Sequence, residues 1–425
     1  MSSRKKMGGF SSLQNVNKSL EILNKHLSKI EIKTEKVPIH DSCGRIASKD
    51  IKATHNIPPF NRSAVEGYAV ISLDTNGATP TDPRELEIIG TAEAGVEPKD
   101  IPKVSKRKTV EIYTGAPIPT GSDAVVMVEY TKRKGDSVLI HNPVTPWKNI
   151  SKKGEDFLKG KTIIYKGTRI KPWHIGALAS MNIQSAPVYR KLKIGILSTG
   201  NEIRELGEKV KPGEIINSSR PMLISLVEER HCLPINLGNV PDEEEKILEK
   251  LLISLTKCDI VITTGGTSLG MKDLIPEIIG KAGTPGLLVH GVAMRPAKPT
   301  GFGVIGKKPI FMLSGYPVSA LIGFEVFVDT AINTILGTPE EPKVMIKGKL
   351  TRKLATHIGS KSFIRVKIIR ENNGYIIEPL RLTGSGLLSS ITKANGILEV
   401  DEDIEGYDEG DEVNVRVLQS PDITV

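Results

Sequence analysis

Aromatic side chains are scarce in this chain: its 425 residues include two Trp, eight Tyr and eight Phe, 4% in all. The cores must therefore rest on Ile, Leu, Val and Ala. There are three cysteines, Cys43, Cys232 and Cys258, and no C-x-x-C. That count argues against a disulfide framework or a cysteine zinc site and points to a reducing compartment, the cytoplasm. The eight histidines show no H-E-x-x-H or other paired ligand spacing, which argues against a His-built zinc centre. No Ser/His/Asp order or reactive-cysteine context is present, which disfavours covalent acyl chemistry. A long uninterrupted apolar run is missing too. The most apolar stretch, Pro309–Leu336, is broken by Gly315, Pro317, Glu325 and Asp329 and reads as a strand plus a buried helix, not a membrane span. The basic stretch Met1–Phe10 has no apolar segment after it, so it reads as a tail and not as a signal peptide.

What is present is ordinary for soluble globular protein: 39% hydrophobic and 25% charged residues, with 40 Gly and 27 Pro to make turns. The length allows two to four domains. The formal net charge of +9 suits an anionic substrate. Basic clusters such as Lys103–Lys108 have no interleaved aromatics and read as solvated faces, not a nucleic-acid platform. Ser11–Lys29 spaces Leu13, Val16, Leu20, Leu23 and Leu27 as the stripe of an amphipathic helix. From Ile30 to Tyr130 short strand-like runs alternate with turns. Pro172–Met181 predicts a helix with Trp173 buried along one side.

At Lys191 the pattern changes. Strand-like runs at Lys193–Leu197, Leu233–Leu237, Ile260–Ile262, Gly286–Ala293 and Pro309–Leu313 alternate with helical runs. The helices are expected at Arg220–Glu229, from Asp242, at Asp273–Ile279 and at Pro317–Leu336. Asp242 with Glu245 three residues on predicts a capping box. The alternation predicts a parallel, doubly wound sheet. Thr338–Pro342 reads as a linker. Val344–Val425, with short strands and no helix, reads as a small β-barrel or sandwich.

Four loops then fall at strand ends of the α/β region. They are Thr199-Gly200-Asn201-Glu202, Gly265-Gly266-Thr267-Ser268 with Asp273, Arg295-Pro296-Ala297-Lys298-Pro299, and Ser314-Gly315-Tyr316-Pro317-Val318-Ser319. Right-handed crossovers put the first two on one sheet edge, where α/β sheets bind ligands. Alone, the Gly-rich loop reads equally as a turn with Asp273 as a helix cap. Together the loops offer two carboxylates, two cations, hydroxyls and many backbone N–H groups. Glu202 and Asp273 suit a hard cation such as Mg²⁺. Arg295 and Lys298 suit a phosphate or another oxyanion, and the helix starting at Pro317 is an anion site.

The ordered set of motifs resembles the molybdopterin molybdenumtransferase family, called MoeA and, in animals, the E domain of gephyrin. The resemblance runs from about Ser11 to Leu418. P-P-F-N-R-S-A-V-E-G-Y-A-V at Pro58–Val70 resembles the family's P-x-F-D-N-S-A-M-D-G-Y-A. Then follow T-G-A-P-I-P-T-G-S-D-A-V-V at Thr114–Val126, G-E-D at Gly154–Asp156 and S-T-G-N-E at Ser198–Glu202. T-G-G-T-S-L-G-M-K-D at Thr264–Asp273, M-R-P-A-K-P at Met294–Pro299, L-S-G-Y-P-V-S-A at Leu313–Ala320 and G-S-G at Gly384–Gly386 complete the series. This chain departs from the family pattern at Asn61 and Glu66, where the family has Asp, at Arg295 and Ala297 within M-K-P-G-K-P, and at Ser314-Gly315-Tyr316-Pro317 in place of P-G-N-P.

The resemblance implies four parts: an elongated linking domain from 11–57 and 148–190, a β-rich insert at 58–147, a doubly wound α/β molybdopterin-binding domain at 191–338, and a C-terminal β-barrel at 343–425. It implies insertion of molybdate, or tungstate, into adenylylated molybdopterin with release of AMP and with Mg²⁺. A molybdopterin adenylyltransferase and a non-catalytic pterin-binding scaffold are the alternatives. It implies a homodimer whose site is shared between chains, serving cofactor-accepting enzymes and working beside the adenylyltransferase. Matched by motif, Asp273 and Glu202 are its functional acids and metal ligands, with Asp156 and Thr114 as further catalytic positions. Asn61, Ser63, Thr199, Gly265, Gly266, Ser268, Arg295, Lys298, Ser314, Pro317, Ser319, Arg365 and Ser385 are its substrate-binding positions.

Overall fold

The structure, a computed structural model, describes residues 13–265, 274–372, 374–380 and 387–423. The chain forms two compact units. The first holds the chain up to Glu35, Gly44–Ile46 and the chain from Tyr189 onward; the second holds Lys36–Cys43 and Ala47–Val188.

The first unit contains a six-stranded sheet. Its order is Leu233–Val240, Lys193–Thr199, Ile260–Thr264, Lys308–Leu313, Gly301–Ile305 and Pro285–His290. The first four strands are parallel. Period-two alternation sends their side chains to two separate cores. Ile194, Ile196, Ile260, Ile262, Phe311 and Leu313 join the core under helices Ser219–Glu229 and Val16–Leu27 and the helix that follows Pro317. Leu197, Val261, Ile310 and Met312 join the core under helices Glu244–Lys257 and Leu274–Ala282. Each fully buried Ile or Leu contributes about 1.5–3 kcal/mol, so both faces of the sheet hold the fold.

The sheet is mixed, where all-parallel was expected. Gly301–Ile305 runs antiparallel between Lys308–Leu313 and Pro285–His290. A two-residue turn with Gly306 at φ 62° joins it to Lys308–Leu313, as a tight hairpin requires. The expected capping box at Asp242 is absent. The N-cap of Glu244–Lys257 is Glu243, with no side-chain cap bond, and the Asp242 N–H instead donates to Asn201 Oδ1 at 3.3 Å.

Pro317–Leu336 is one helical run, with a π-turn at Phe324–Val328 inside it. Proline at its first position costs no hydrogen bond, and Gly337 at φ 62° ends it in a left-handed cap. Its length and composition would let it cross a membrane, but it is two-thirds buried inside the first unit and is a core helix. The chain beyond it closes five strands into a barrel: Lys361–Glu371, Gly374–Pro379, Met345–Leu350, Glu412–Val417 and Gly396–Val400, which returns to Lys361–Glu371. Met294–Arg295 adds to this sheet beside Lys361 and Ser362. One short helix, Leu388–Thr392, stands where none was expected.

The second unit is β-rich. Its main sheet runs Ala124–Met127, Gly67–Val70, Lys108–Ile112, Arg84–Ala92, Ser137–Ile140 and Thr131–Lys134. Its helix is Pro172–Ser180. Trp173 is not buried along it but 69% exposed. The helix buries Leu178 and packs Ile175, and Trp173, two residues from Ile175, projects about 200° around the axis from it.

Candidate active site

The strand Lys193–Thr199 lies between Leu233–Val240 and Ile260–Thr264. Chain connections therefore leave it toward one side and return on the other, and the crevice at these carboxyl ends is where such a sheet takes a ligand. The two loops meet there. Gly265 has φ 91°, and a side chain on it would come within 2.1 Å of the Thr199 carbonyl oxygen. Only glycine permits this approach. Thr199 Oγ1 is buried with no hydrogen-bond partner among the described residues. A side chain on Gly200 would meet the Glu202 carboxylate at 2.9 and 3.0 Å, so that carboxylate folds back over the glycine. Asn239 Nδ2 donates to the carbonyls of Gly200 at 3.2 Å and Ile203 at 3.4 Å and holds the turn.

The third loop carries Arg295 and Lys298, both exposed. Between them Ala297 sits at φ 83°, a left-handed conformation that favours glycine. Its methyl is buried in the main core, which offsets the strain. The fourth loop follows Lys308–Leu313. Ser219 Oγ donates to the Gly315 carbonyl at 2.7 Å, and the Tyr316 N–H donates to Ser314 Oγ at 3.2 Å. The core helix then begins at Pro317.

The barrel supplies the facing wall through Arg365, which is 3% exposed. Its Nε donates to Ser390 Oγ at 3.3 Å and one terminal nitrogen to the Phe363 carbonyl at 3.4 Å. These are long bonds, and they use two of five donors. No carboxylate pairs with it among the described residues. Burial holds its pKa below the usual arginine value, yet a guanidinium remains charged at neutral pH. A buried cation without a counter-ion is costly, and an anionic ligand removes that cost.

These walls enclose a cavity of about 960 Å³. Of the expected positions, Thr199, Glu202, Gly265, Arg295, Lys298, Ser314, Ser319 and Arg365 line it. Pro317 stands just behind, as the first residue of the helix. Gly266, Ser268, Asp273 and Ser385 lie outside the described residues. Sequence reasoning missed a buried polar network in the wall: Asn217 Nδ2 donates to Ser198 Oγ at 2.8 Å, and that hydroxyl lies 3.1 Å from Thr264 Oγ1. Asn217 Oδ1 also accepts from the Arg220 N–H. The polar run Asn217-Ser218-Ser219 ahead of a helix was its only signal. Thr356 and His357 of the barrel line the cavity as well.

The remaining expected positions belong to the second unit, where three motif loops are knit together. The Gly115 N–H donates to the Ser63 carbonyl at 2.8 Å and the Ser63 N–H to Ala116 at 2.9 Å. The Ile118 N–H donates to the Asn61 carbonyl at 3.0 Å, and the Lys153 N–H to Asn61 Oδ1 at 2.8 Å. The Asp156 N–H reaches the Ile57 carbonyl at 3.1 Å. Thr114 and Asp156 stand exposed on this assembly. Ser63 does not: it is 1% exposed and its hydroxyl donates to the Val65 carbonyl, so its part is to shape the loop. Glu155 is likewise used locally. Its pKa is lowered by the Ser151 hydroxyl and the Lys152 N–H.

No three or more of His, Cys, Asp and Glu converge among the described residues. Glu202 offers one hard oxygen ligand. That fits Mg²⁺, which is commonly held by one or two carboxylates plus substrate phosphates.

Family models match in three stretches: the MoeA N-terminal region (domain I and II) at residues 14–182, a probable molybdopterin binding domain at 195–334, and the MoeA C-terminal region (domain IV) at 347–418. A putative molybdopterin biosynthesis protein of Methanocaldococcus jannaschii is 37% identical over 91% of this chain and 93% of its own length. The molybdopterin molybdenumtransferase of Bacillus subtilis is 34% identical over 91% of this chain and 90% of its own. The crystal structure of a molybdopterin biosynthesis MoeA protein from Pyrococcus horikoshii superposes with a TM-score of 0.83 at 36% identity, over 96% of this chain and 100% of that one. With loops, cavity and full-length likeness in agreement, the chain belongs to the MoeA family of molybdopterin molybdenumtransferases.

Proposed function

We propose that this chain inserts molybdate, or tungstate, into adenylylated molybdopterin and releases AMP, in the synthesis of molybdenum cofactor. The observation that carries this reading is Arg365, a buried guanidinium with no carboxylate partner among the described residues, in the wall of a cavity that also holds Arg295, Lys298 and the amino end of the core helix. Molybdate is a dianion, and it must approach a substrate that already carries phosphates. Cations held around the cavity lower the cost of bringing these charges together. Glu202, with Asp273, would hold Mg²⁺, which when bound neutralises charge on the phosphoanhydride. Glu202 also orients the water that opens the anhydride. One phosphate stays with molybdopterin and the other leaves as AMP. The two dithiolene sulfurs take the place of one molybdate oxygen, which departs as water with their protons.

Adenylylated molybdopterin incubated with the protein should yield AMP only when molybdate or tungstate is supplied with Mg²⁺. Release at full rate without an oxyanion would overturn the reading. ATP consumption would mark an adenylyltransferase instead, and binding without turnover a scaffold.

A further inference from the structure

The barrel meets the core helix through charges as well as through apolar contacts. Arg416, on Glu412–Val417, is 8% exposed. Its two terminal nitrogens donate to the two carboxylate oxygens of Glu325 at 3.2 and 2.7 Å. Its Nε lies 3.5 Å from the Glu399 carboxylate, and Lys361 lies 3.5 Å from Glu399 in turn. Glu325 sits in the π-turn Phe324–Val328, the one departure from α geometry inside Pro317–Leu336. A π-turn adds a residue to the helix and re-aims the side chains around it. One turn further on, Asp329 takes a bidentate pair from Arg230 at 3.0 and 2.9 Å. Helix, barrel and the end of Ser219–Glu229 are thus held by oriented ion pairs.

The barrel register connects this clamp to the cavity. Arg365 lies directly opposite Ile397, and Ile397 lies directly opposite Arg416. Directly opposed residues point to the same face of a sheet. Ile397 and Phe363 belong to the main core, whereas Ile364, Val366, Leu398 and Val415 fill the barrel interior. Arg365 and Arg416 therefore share the outer face of the barrel, two strands apart at one level. The core helix covers a comparable span on its side: two strand spacings are about 10 Å, and Glu325 is eight residues past Pro317, about 12 Å along the axis.

We infer that Glu325 and Arg416 are positioning residues: their bidentate pair fixes the barrel on the core helix and so sets Arg365 opposite the helix end, Arg295 and Lys298. Apolar contacts are non-directional, and the pairing of Met294–Arg295 with Lys361 and Ser362 fixes the barrel at one edge only. A bidentate guanidinium–carboxylate pair has one geometry. This inference rests on the oxyanion reading of the cavity.

Molybdate binding measured by calorimetry on the full chain tests it apart from turnover. Glu325→Gln keeps the shape and loses the charge; it should weaken molybdate binding about tenfold, the effect of one displaced polar contact. Unchanged affinity would overturn the inference. The double variant Glu325→Leu with Arg416→Met replaces a buried pair by apolar groups, a change that is often neutral or stabilising. It should regain wild-type thermal stability and keep the weakened molybdate affinity. If affinity returns together with stability, the pair only stabilises and the inference fails. A wild-type chain that binds no molybdate would instead sink the proposed function.

Discussion

Arg365 has five N–H donors and, among the described residues, uses two of them, both in long bonds to neutral acceptors. A guanidinium held this way is arranged for a ligand and not for stability. Arg365→Met should therefore separate the two. The apolar side chain removes a buried charge with no counter-ion among the described residues, so the melting temperature should rise or hold. Molybdate-dependent kcat/KM should fall on the order of a hundredfold, as when one preorganised electrostatic contact is lost. Melting curves and AMP release on the same preparation check both halves, and a parallel loss of stability and activity would count against the assignment. Asn61 teaches the converse. Its Oδ1 accepts from the Lys153 N–H, a bond an aspartate could accept equally, so the departure from the family residue preserves the loop. Neither role was legible from the residues alone. In S-F-I-R-V-K-I-I, Phe363, Arg365 and Lys367 alternate with Ile364, Val366 and Ile368, and this alternation alone does not set Arg365 apart from Lys367; the family resemblance marked it for the site. Its burial follows because the outer face of the barrel is itself covered.

The strands and helices of the α/β region were legible because hydrophobic periodicity marks them. The runs at Lys193–Leu197 and Ile260–Ile262 prove to be strands Lys193–Thr199 and Ile260–Thr264. Gly301–Ile305 was missed: G-F-G-V-I has little alternation and follows a proline-rich loop, and its place between two strands is set by pairing. The central strand also carries a measurable dependence on pH. Burial alone would raise the pKa of Asp259 at its start, but the Arg190 pair at 2.6 Å and the Lys193 N–H at 2.8 Å outweigh it, and the pKa falls below its ordinary 3.8. A depressed carboxylate pKa contributes stability that is present above the ordinary value and is lost as pH falls through the folded one. Urea unfolding from pH 7 to pH 3 should show a steeper acid loss in the wild type than in Asp259→Asn. Equal acid limbs would show that the pair does not favour the ionised carboxylate.

At the scale of the whole molecule, the expected residues divide between two units: Glu202, Arg295, Lys298 and Arg365 in the first, Thr114, Asp156 and Asn61 in the second. We propose a twofold dimer whose sites draw on the first unit of one subunit and the second unit of its partner. Thr114→Ala and Asp273→Asn, each inactive alone, should then complement when co-expressed. Random pairing gives half heterodimers, each with one intact site, so about one quarter of wild-type activity should return. A chain that is monomeric and active in light scattering would refute the shared site. The order of motifs made the family legible over nearly the full chain. The boundary between the units at Tyr189 was legible too, as the change of pattern near Lys191. That the chain up to Glu35 and Gly44–Ile46 joins the first unit was not, because contacts between distant stretches leave no periodic trace.

The pairing of Met294–Arg295 with Lys361 and Ser362 bears on how such a chain can be cut and rejoined. The linker after Leu336 looks like a natural seam for recombination, but the barrel does not end there. Its edge strand is encoded some fifty residues earlier, and Phe363 and Ile397 are buried in the neighbouring core. A barrel excised at the linker would expose a bare strand edge beside an apolar face, the combination that invites edge-to-edge association. Inheritance of this C-terminal module is therefore tied to the loop that carries Arg295 and Lys298. A chimera that exchanges the barrel without that loop breaks a sheet, and one that exchanges both carries two walls of the cavity together.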